Sequence, residues 1–196
     1  KHVQGRVELD GRAAEDYPSL QAFRRSLQVF PQDCYILGGS VRDAVDPWRQ
    51  HEDVTINQLI RRLSAAIPSG GDGGGEASAE VLSLQFVVSP GGANLSAGQK
   101  QVLTLLRAAL SSSARVLVLD ELFSNLDIGA AKRAMAVIAE ELVRKHGASV
   151  MLIAHSLQDL ALCGDVWVME RGQIIERGRP LELLARESRF RAMVLD

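Results

Sequence analysis

The chain has only two cysteines, no long apolar run and almost no net charge, and each absence excludes a class of protein. Cys34 and Cys163 are too few and too far apart to suggest a disulfide framework, which favours a reducing compartment. No apolar stretch approaches the about 18 residues of a membrane-spanning helix, and the first residues contain none that could serve as a secretory signal. The net charge of −2 provides no global basic field for binding nucleic acid or an anionic membrane.

The composition that remains is typical of a globular protein, with 46% hydrophobic and 23% charged residues over 196 positions. This length suffices for one large domain or two small ones with a buried core. The chain begins with Lys1 and its first methionine is Met135, so we expect it to be a piece of something longer.

Composition divides the chain into three predicted parts. Residues 1–50 and 51–95 combine short strand-like and helical segments, and the second part contains a glycine-rich stretch, 69–76, typical of a flexible linker. That stretch lacks the Gly-Lys-Ser/Thr ending of a phosphate-binding loop. Residues 96–196 alternate amphipathic helices with apolar strands, which predicts an α/β protein with a parallel sheet.

Hydrophobic patterning predicts the main elements. Helices are predicted after Pro180 and over residues 20–27, 55–66, 97–110 and 128–146. Strands are predicted within residues 5–11, 27–30, 116–119, 149–154, 166–169 and 173–176. The strand 116–119 and the run 150–154 of the next strand are continuously apolar, which predicts that both faces of the sheet are covered.

Two acidic residues, Asp120 and Glu121, directly follow the strand 116–119. Ligands of open parallel sheets bind beyond the carboxyl ends of the strands, so this pair lies where a site is expected. An aspartate there could hold hydrated Mg²⁺, and the glutamate could polarise an attacking water. The same pair is common at a helix N-terminus without any catalytic role, and from these residues alone both interpretations stay open.

The segment Leu95–Gln99 lies at the predicted start of a helix. Backbone N–H groups and the helix dipole favour an anion there, Ser96 adds a hydroxyl donor, and Gly98 permits close approach of a phosphate. The alternative is a helix capped by Ser96 with no ligand, which the pentapeptide by itself favours.

His155 follows the strand 149–154 and stands 35 residues after Asp120, which leaves room for one helix and one strand. Neighbouring parallel strands would then present His155 and Glu121 at the same edge of the sheet. A lone histidine at a strand end is more often structural, and Ser124–Asp127 by itself predicts a turn with an aspartate N-cap.

Taken together, these residues resemble the nucleotide-binding domain of ATP-binding cassette (ABC) ATPases. Leu95–Gln101 is similar to the signature LSGGQ-x-Q, 116–121 to the Walker B strand and Ser124–Asp127 to the D-loop. Phe30–Asp33 resembles the Q-loop, and His155 falls at the switch histidine. The resemblance implies a P-loop NTPase-like α/β fold, in which helices flank a parallel sheet and a helical subdomain carries the signature.

The run 31–48 is similar to PQD-x-x-LF-x-GTVR-x-NLDP-F of C-subfamily exporters, the multidrug-resistance-associated type. Cys34 stands where proline is usual, and Ala44-Val45 replaces Asn-Leu. The resemblance implies an ATPase at the cytoplasmic face of a membrane, coupled to transmembrane domains that export organic anions or drug-like compounds.

The resemblance also implies roles for single residues. Glu121 would be the general base, Asp120 and Gln32 would hold Mg²⁺ through water, and His155 would contact the γ-phosphate of ATP. Signature and D-loop residues would face ATP held by a second nucleotide-binding domain in a head-to-tail sandwich: Ser96, Ala97, Gly98, Gln99 and Asp127. The three parts of the chain would be a partial ATPase core, a helical subdomain, and a segment running from the signature helix to a C-terminal hairpin and helix.

The family's phosphate-binding loop, Gly-x-x-x-x-Gly-Lys-Ser/Thr, does not occur in the 196 residues. In the family it precedes the Q-loop by some tens of residues, so we expect this chain to be the C-terminal part of a domain whose first strands and phosphate loop lie upstream. Charge-assisted contacts of such a loop contribute roughly 1.5–3 kcal/mol each, so we expect no tight ATP binding in cis without it.

Two alternatives from other functional classes remain open. The missing loop favours a non-catalytic regulatory module that completes a partner's ATP site, although the retained Asp120, Glu121 and His155 do not require it. A soluble ABC ATPase acting on DNA or ribosomes is disfavoured by the exporter-like run and by the mild acidity, and we expect no nucleic-acid partner.

Overall fold

The computed structural model describes residues 5–32, 34–67, 82–124, 126–154, 160 and 162–195, so the predicted linker 69–76 and His155 lie outside the described residues. The strands in the described part are β1 (Glu8–Leu9), β2 (Arg12–Ala13), β3 (Leu27–Phe30), β4 (Gly39–Ser40), β5 (Val87–Val88), β6 (Val116–Asp120), β7 (Ser149–Ile153), β8 (Val166–Glu170) and β9 (Gln173–Gly178). The α-helices there are α1 (Leu20–Ser26), α2 (Val41–Val45), α3 (Asp53–Ala66), α4 (Ala97–Ala109), α5 (Ile128–Ile138), α6 (Pro180–Leu184) and α7 (Arg189–Leu195).

A parallel sheet in the order β3–β6–β7 forms the centre of the described fold. Val118 of β6 pairs with Val29 on one side and with Met151 on the other. Helices α4 and α5 lie between these strands in the chain, as the predicted strand–helix–strand order requires. Since the three strands point the same way, their carboxyl ends meet at one edge, and Gln32 and Glu121 follow directly from that edge.

One face of this sheet forms the core. Leu117 and Leu119 of β6 are fully buried and share one apolar cluster with Leu63 of α3 and Leu106 of α4. Burying a leucine side chain contributes about 1.5–3 kcal/mol, so these contacts are what hold the helices on the sheet. None of the helices in the described part is both long enough and apolar enough to cross a membrane.

The other face of the sheet is not covered, and the prediction of burial on both faces is wrong there. Val29, Met151 and Ile153 alternate with the core residues and are 57%, 45% and 40% exposed. The helices share a core with only one of the two alternating sets of side chains. A continuous apolar run therefore indicated a parallel strand correctly, but not what packs against its second face.

The predicted helix over 128–146 divides in two. The α-helix ends at Ile138, and a π-helix follows over Ala139–Arg144. Arg62 of α3 binds both adjacent acids of this π segment, Glu140 and Glu141, at 2.7 and 2.5 Å. The side chains of two consecutive residues, Glu140 and Glu141, thus contact the same arginine. Helical periodicity does not predict such a contact between distant segments.

Two tight hairpins form at segments where the sequence predicted strands. Asp10 and Gly11 connect β1 and β2 with φ of 54° and 72°, the pair of positive values that a type I′ turn requires. Strands β8 and β9 pair in an antiparallel hairpin, as predicted, and bury Val166 and Val168 in a separate small cluster with Leu183 of α6.

Candidate active site

A hydrogen bond joins two predicted site residues at the carboxyl edge of the sheet. Nε2 of Gln32 donates to Oε2 of Glu121 at 2.7 Å, although the residues are 89 apart in the sequence. The pairing of β3 with β6 explains the contact, because Phe30 lies beside Leu119 and Gln32 and Glu121 each come two residues after that pair. The amide oxygen of Gln32 and the second carboxylate oxygen of Glu121 do not take part in this bond.

The backbone at Glu121 adopts a conformation that L-residues seldom populate, with φ of 50°. Its N–H donates to the carbonyl of Ile153 at 3.1 Å, and its own carbonyl accepts from the N–H and Oγ of Ser124 at 3.1 and 2.9 Å. Such strain persists only where surrounding contacts hold it and is concentrated at functional sites. The turn directs the glutamate side chain away from the sheet and towards Gln32.

The Gln32–Glu121 pair lines an open cleft of about 410 Å³. The first turns of α4 line the same cleft through Ala97, Lys100 and Gln101. The cleft therefore brings the predicted base and the predicted signature segment together in one chain.

The start of α4 is a capping box. Oγ of Ser96 accepts a hydrogen bond from the N–H of Gln99 at 3.2 Å, and Oε1 of Gln99 accepts one from the N–H of Ser96 at 2.8 Å. Both side chains thus stabilise the helix end, while the Ser96 hydroxyl proton and the Gln99 amide nitrogen are not used in these two bonds. A Cβ added at Gly98 would meet nothing within 4 Å, so the backbone there is open to close approach by a ligand.

Asp120 ends β6 beside Ile153 of β7, on the sheet face that is not covered. The carboxylate of Asp120 and the amide oxygen of Gln32 are oxygen donors of the kind that Mg²⁺ prefers, and this ion keeps several of its waters alongside substrate phosphates. The described residues contain no cluster of three or more potential metal-ligating side chains. Asp120 and Gln32 therefore fit a metal held mostly through water and phosphate rather than a complete protein cage.

The structure gives the predicted D-loop residue Asp127 a local role. Its Oδ1 accepts a hydrogen bond from the N–H of Ala130 at 2.9 Å and caps α5. That bond lowers the pKa of Asp127, with smaller contributions from Gly129 and Arg133. Its predicted contact with a partner's ATP remains a prediction, as does the role of His155, which lies outside the described residues.

Two contacts of the segment that follows Glu121 were not predicted. Ser124 holds the Glu121 carbonyl, and Nε2 of Gln101 donates to the Leu122 carbonyl at 2.5 Å. Gln101 belongs to the signature motif and Ser124 to the D-loop motif, but neither motif indicates which backbone carbonyl its side chain contacts.

A parallel sheet with a polar site at its carboxyl edge, faced by the start of a helix, is the architecture of P-loop NTPase-like α/β proteins. The fold agrees with a solved structure, a bacterial Atm1-family ABC exporter with ATP bound, at a TM-score of 0.77 and 21% identity. That match covers 97% of this chain and 31% of the exporter chain.

Comparison of sequences gives the family. Residues 1–124 match the ABC transporter family, and the chain therefore belongs to it. The multidrug resistance protein fer6 of Mycosarcoma maydis is 32% identical over 96% of this chain. ABC transporter C family member 8 of Dictyostelium discoideum is 34% identical over 93%, and the ATP-dependent bile acid permease of Saccharomyces cerevisiae is 29% identical over 89%. The chain spans 11–13% of the length of these relatives.

Proposed function

We propose that this chain is part of the nucleotide-binding domain of an ABC exporter and carries residues that hydrolyse ATP there. The observation that supports this best is the 2.7 Å hydrogen bond between Gln32 and Glu121 at the carboxyl edge of the sheet. Glu121 acts as the general base and accepts a proton from the water that attacks the γ-phosphate. Gln32 orients that carboxylate through its amide nitrogen and directs its amide oxygen to the attacking water or to a water of the metal.

Asp120 would hold Mg²⁺ through water, and a metal there would supply positive charge against the phosphates. His155 would contact the γ-phosphate. Asp120 is the last residue of β6 and His155 comes two residues after β7 in the sequence, at the edge of the sheet where ligands of such folds bind.

The start of α4 acts across a dimer. Its backbone N–H groups and the positive end of the helix dipole face ATP held by the phosphate loop of a second nucleotide-binding domain, in a head-to-tail arrangement. Ser96, Ala97, Gly98, Gln99 and Asp127 are the residues that we assign to this contact. The open space at Gly98 supports it, because a phosphate can approach the backbone there without meeting a side chain.

The uncovered sheet face supports the proposal that these residues belong to a longer domain. Val29, Met151 and Ile153 expose apolar surface next to Asp120, on a face that parallel sheets bury. We infer that upstream residues containing the phosphate loop pack on this face and reach Asp120 directly. The intact mass of the native protein tests this: a mass near 21.3 kDa would contradict it.

We also propose that the complete protein lies with this domain at the cytoplasmic face of a membrane and exports organic anions or drug-like compounds through its transmembrane domains. The support is the similarity to a multidrug resistance protein and to a bile acid permease. Bile acids are amphipathic anions, which is the substrate class expected from the C-subfamily resemblance of residues 31–48.

The test is the ATP turnover of the complete protein with Glu121→Gln. Loss of a general base should lower kcat by about 10²–10⁴-fold, while ATP still binds. Glu187→Gln, a change at an exposed glutamate between α6 and α7, is the matched control and should keep wild-type turnover. Unchanged turnover in Glu121→Gln would overturn the assignment, and a wild-type protein without ATPase activity would favour the non-catalytic module instead.

A further inference from the structure

We infer that Gln101 is a positioning residue that ties the Glu121 carboxylate to the start of α4, an inference that depends on the proposed ATPase function. Gln101 lies in the second turn of α4 and is half-buried. Its Nε2 donates to the carbonyl oxygen of Leu122 at 2.5 Å, across 21 residues of sequence. That carbonyl belongs to the residue directly after Glu121, so the bond fixes the chain beside the proposed base.

The backbone beside Glu121 needs such a contact, because its φ of 50° is an unfavourable conformation. The other bonds that hold it come from the neighbouring strand, through Ile153, and from its own turn, through Ser124. Gln101 is different, because it acts from a separate helix, α4, whose first turns line the same cleft. The orientation of the Glu121 carboxylate therefore depends on the position of α4.

Helix α4 contacts both segments that carry the Gln32–Glu121 pair. Besides the bond from Gln101, Nη1 of Arg107 donates to the carbonyl of Tyr35 at 3.0 Å, three residues after Gln32. An α-helix rises 1.5 Å per residue and is stiff over such a length, so Gln101 lies only about 6 Å along the axis from Ala97. The bond from Gln101 therefore links the Leu122 carbonyl to the start of α4 over a short, stiff stretch of helix.

This arrangement positions the base for hydrolysis. Gln101 holds the peptide after Glu121 in the position that directs its carboxylate at Gln32 and at the attacking water. Without that bond the glutamate would be oriented less well. The bond acts on the orientation of the base and makes no contact with ATP, so its removal should slow chemistry and leave nucleotide affinity unchanged.

The test uses the complete protein with Gln101→Met, which keeps the length of the side chain but removes the donor. We expect kcat for ATP to fall about five- to tenfold, equivalent to about 1–1.4 kcal/mol, with an unchanged KM for ATP. Gln101→Lys restores a donor and should return most of the activity. Hydrogen exchange of the backbone amides over residues 116–124 should be faster in Gln101→Met than in the wild type and normal in Gln101→Lys.

Ser111→Ala is the matched control at the end of the same helix. Ser111 is half-buried and its Oγ donates to the carbonyl of Arg107 at 3.0 Å, so the variant loses a bond to α4 at a residue that does not line the cleft. It should keep the wild-type kcat and the wild-type exchange over residues 116–124.

Different results separate the failure of this inference from the failure of the proposed function. If Glu121→Gln is inactive but Gln101→Met stays within about twofold of the wild-type kcat, the role of Gln101 is refuted and the proposed function stands. A Gln101→Met variant with a lower melting temperature and a raised KM, not rescued by Gln101→Lys, would show a merely structural role and would also refute it. A wild-type protein that does not hydrolyse ATP would overturn both.

Discussion

Replacing Asp46 with asparagine tests whether a buried ion pair holds the loop that follows α2. Asp46 and Arg42 are only 5% and 8% exposed, and their Oδ2 and Nη1 atoms lie 3.0 Å apart. The carboxylate also accepts hydrogen bonds from the backbone N–H of Gln50 at 3.0 Å and of His51 at 2.8 Å. Both carboxylate oxygens are therefore in use as acceptors.

An asparagine offers one acceptor oxygen in place of two, so in either orientation its NH₂ group faces a donor. That donor is the N–H of Gln50 in one orientation and those of His51 and Arg42 in the other. Breaking one side of a buried ion pair costs about 3–5 kcal/mol. Arg42 keeps Asp53 Oδ1 at 2.6 Å and the His51 carbonyl at 2.7 Å. We therefore expect the lower end of that range, a loss of about 3 kcal/mol in the free energy of unfolding.

The pH dependence gives a second check on Asp46. Burial alone raises its pKa, but the hydrogen bonds from Gln50 and His51 and the pairing with Arg42 outweigh burial, so the net pKa is lowered. Because the pKa of Asp46 is lower in the folded state than in the unfolded state, its ionised carboxylate stabilises the fold. This contribution is complete at pH values above the unfolded pKa of about 3.9 and is lost as the pH falls through the folded pKa. The difference in stability between the wild type and Asp46→Asn should therefore narrow at acid pH.

The assay is urea unfolding followed by circular dichroism, at neutral pH and below the ordinary carboxyl pKa. Asp43→Asn is the control on the same helix, because Asp43 and its partner Arg49 have side chains that are 50% and 68% exposed. An exposed pair contributes about 0–1 kcal/mol, so this control should lose little. Equal losses of unfolding free energy in Asp46→Asn and Asp43→Asn would refute the reasoning. A difference in stability between the wild type and Asp46→Asn that does not change with pH would also refute it.

Two further predictions concern packing and charge. Leu106→Ala in α4, where the leucine is fully buried, should cost about 2–5 kcal/mol of unfolding free energy in the same assay, and a loss below about 1 kcal/mol would contradict the assigned core. Arg62→Gln should lower the free energy of unfolding by about 1.5–3 kcal/mol. The reason is that Glu141 is 8% exposed and, among the described residues, would then keep only Lys145 at 2.6 Å as a cationic partner. Lys145→Gln, which leaves Arg62 in place, should cost less, and the reverse order would contradict the geometry.

The elements that sequence patterns predicted well are those decided by local chemistry. Short apolar runs predicted β6 and β7 to within one residue, because apolar segments of this length bounded by polar residues favour strands. Ser96 and Asp127 predicted the starts of α4 and α5, since both side chains cap the helix that follows them.

The elements that sequence patterns did not predict depend on tertiary contacts. The change to a π-helix at Ala139 coincides with Arg62 on another helix, and the uncovered sheet face depends on what packs against it. The site shows the same division. The family resemblance assigned Gln32 and Glu121 to one ATP site, but the bond between them and the bond from Gln101 to Leu122 require the packed positions of β3, α4 and β6.

The nucleotide retained by Glu121→Gln in the complete protein tests the central claim most directly. The variant is loaded with ATP and Mg²⁺, separated from unbound nucleotide, and its bound nucleotide is identified by chromatography beside the wild type. If Glu121 is the general base, the variant retains unhydrolysed ATP, whereas the wild type releases ADP. Bound ADP in the variant at the wild-type rate would contradict the claim, because hydrolysis would then proceed without the Glu121 carboxylate.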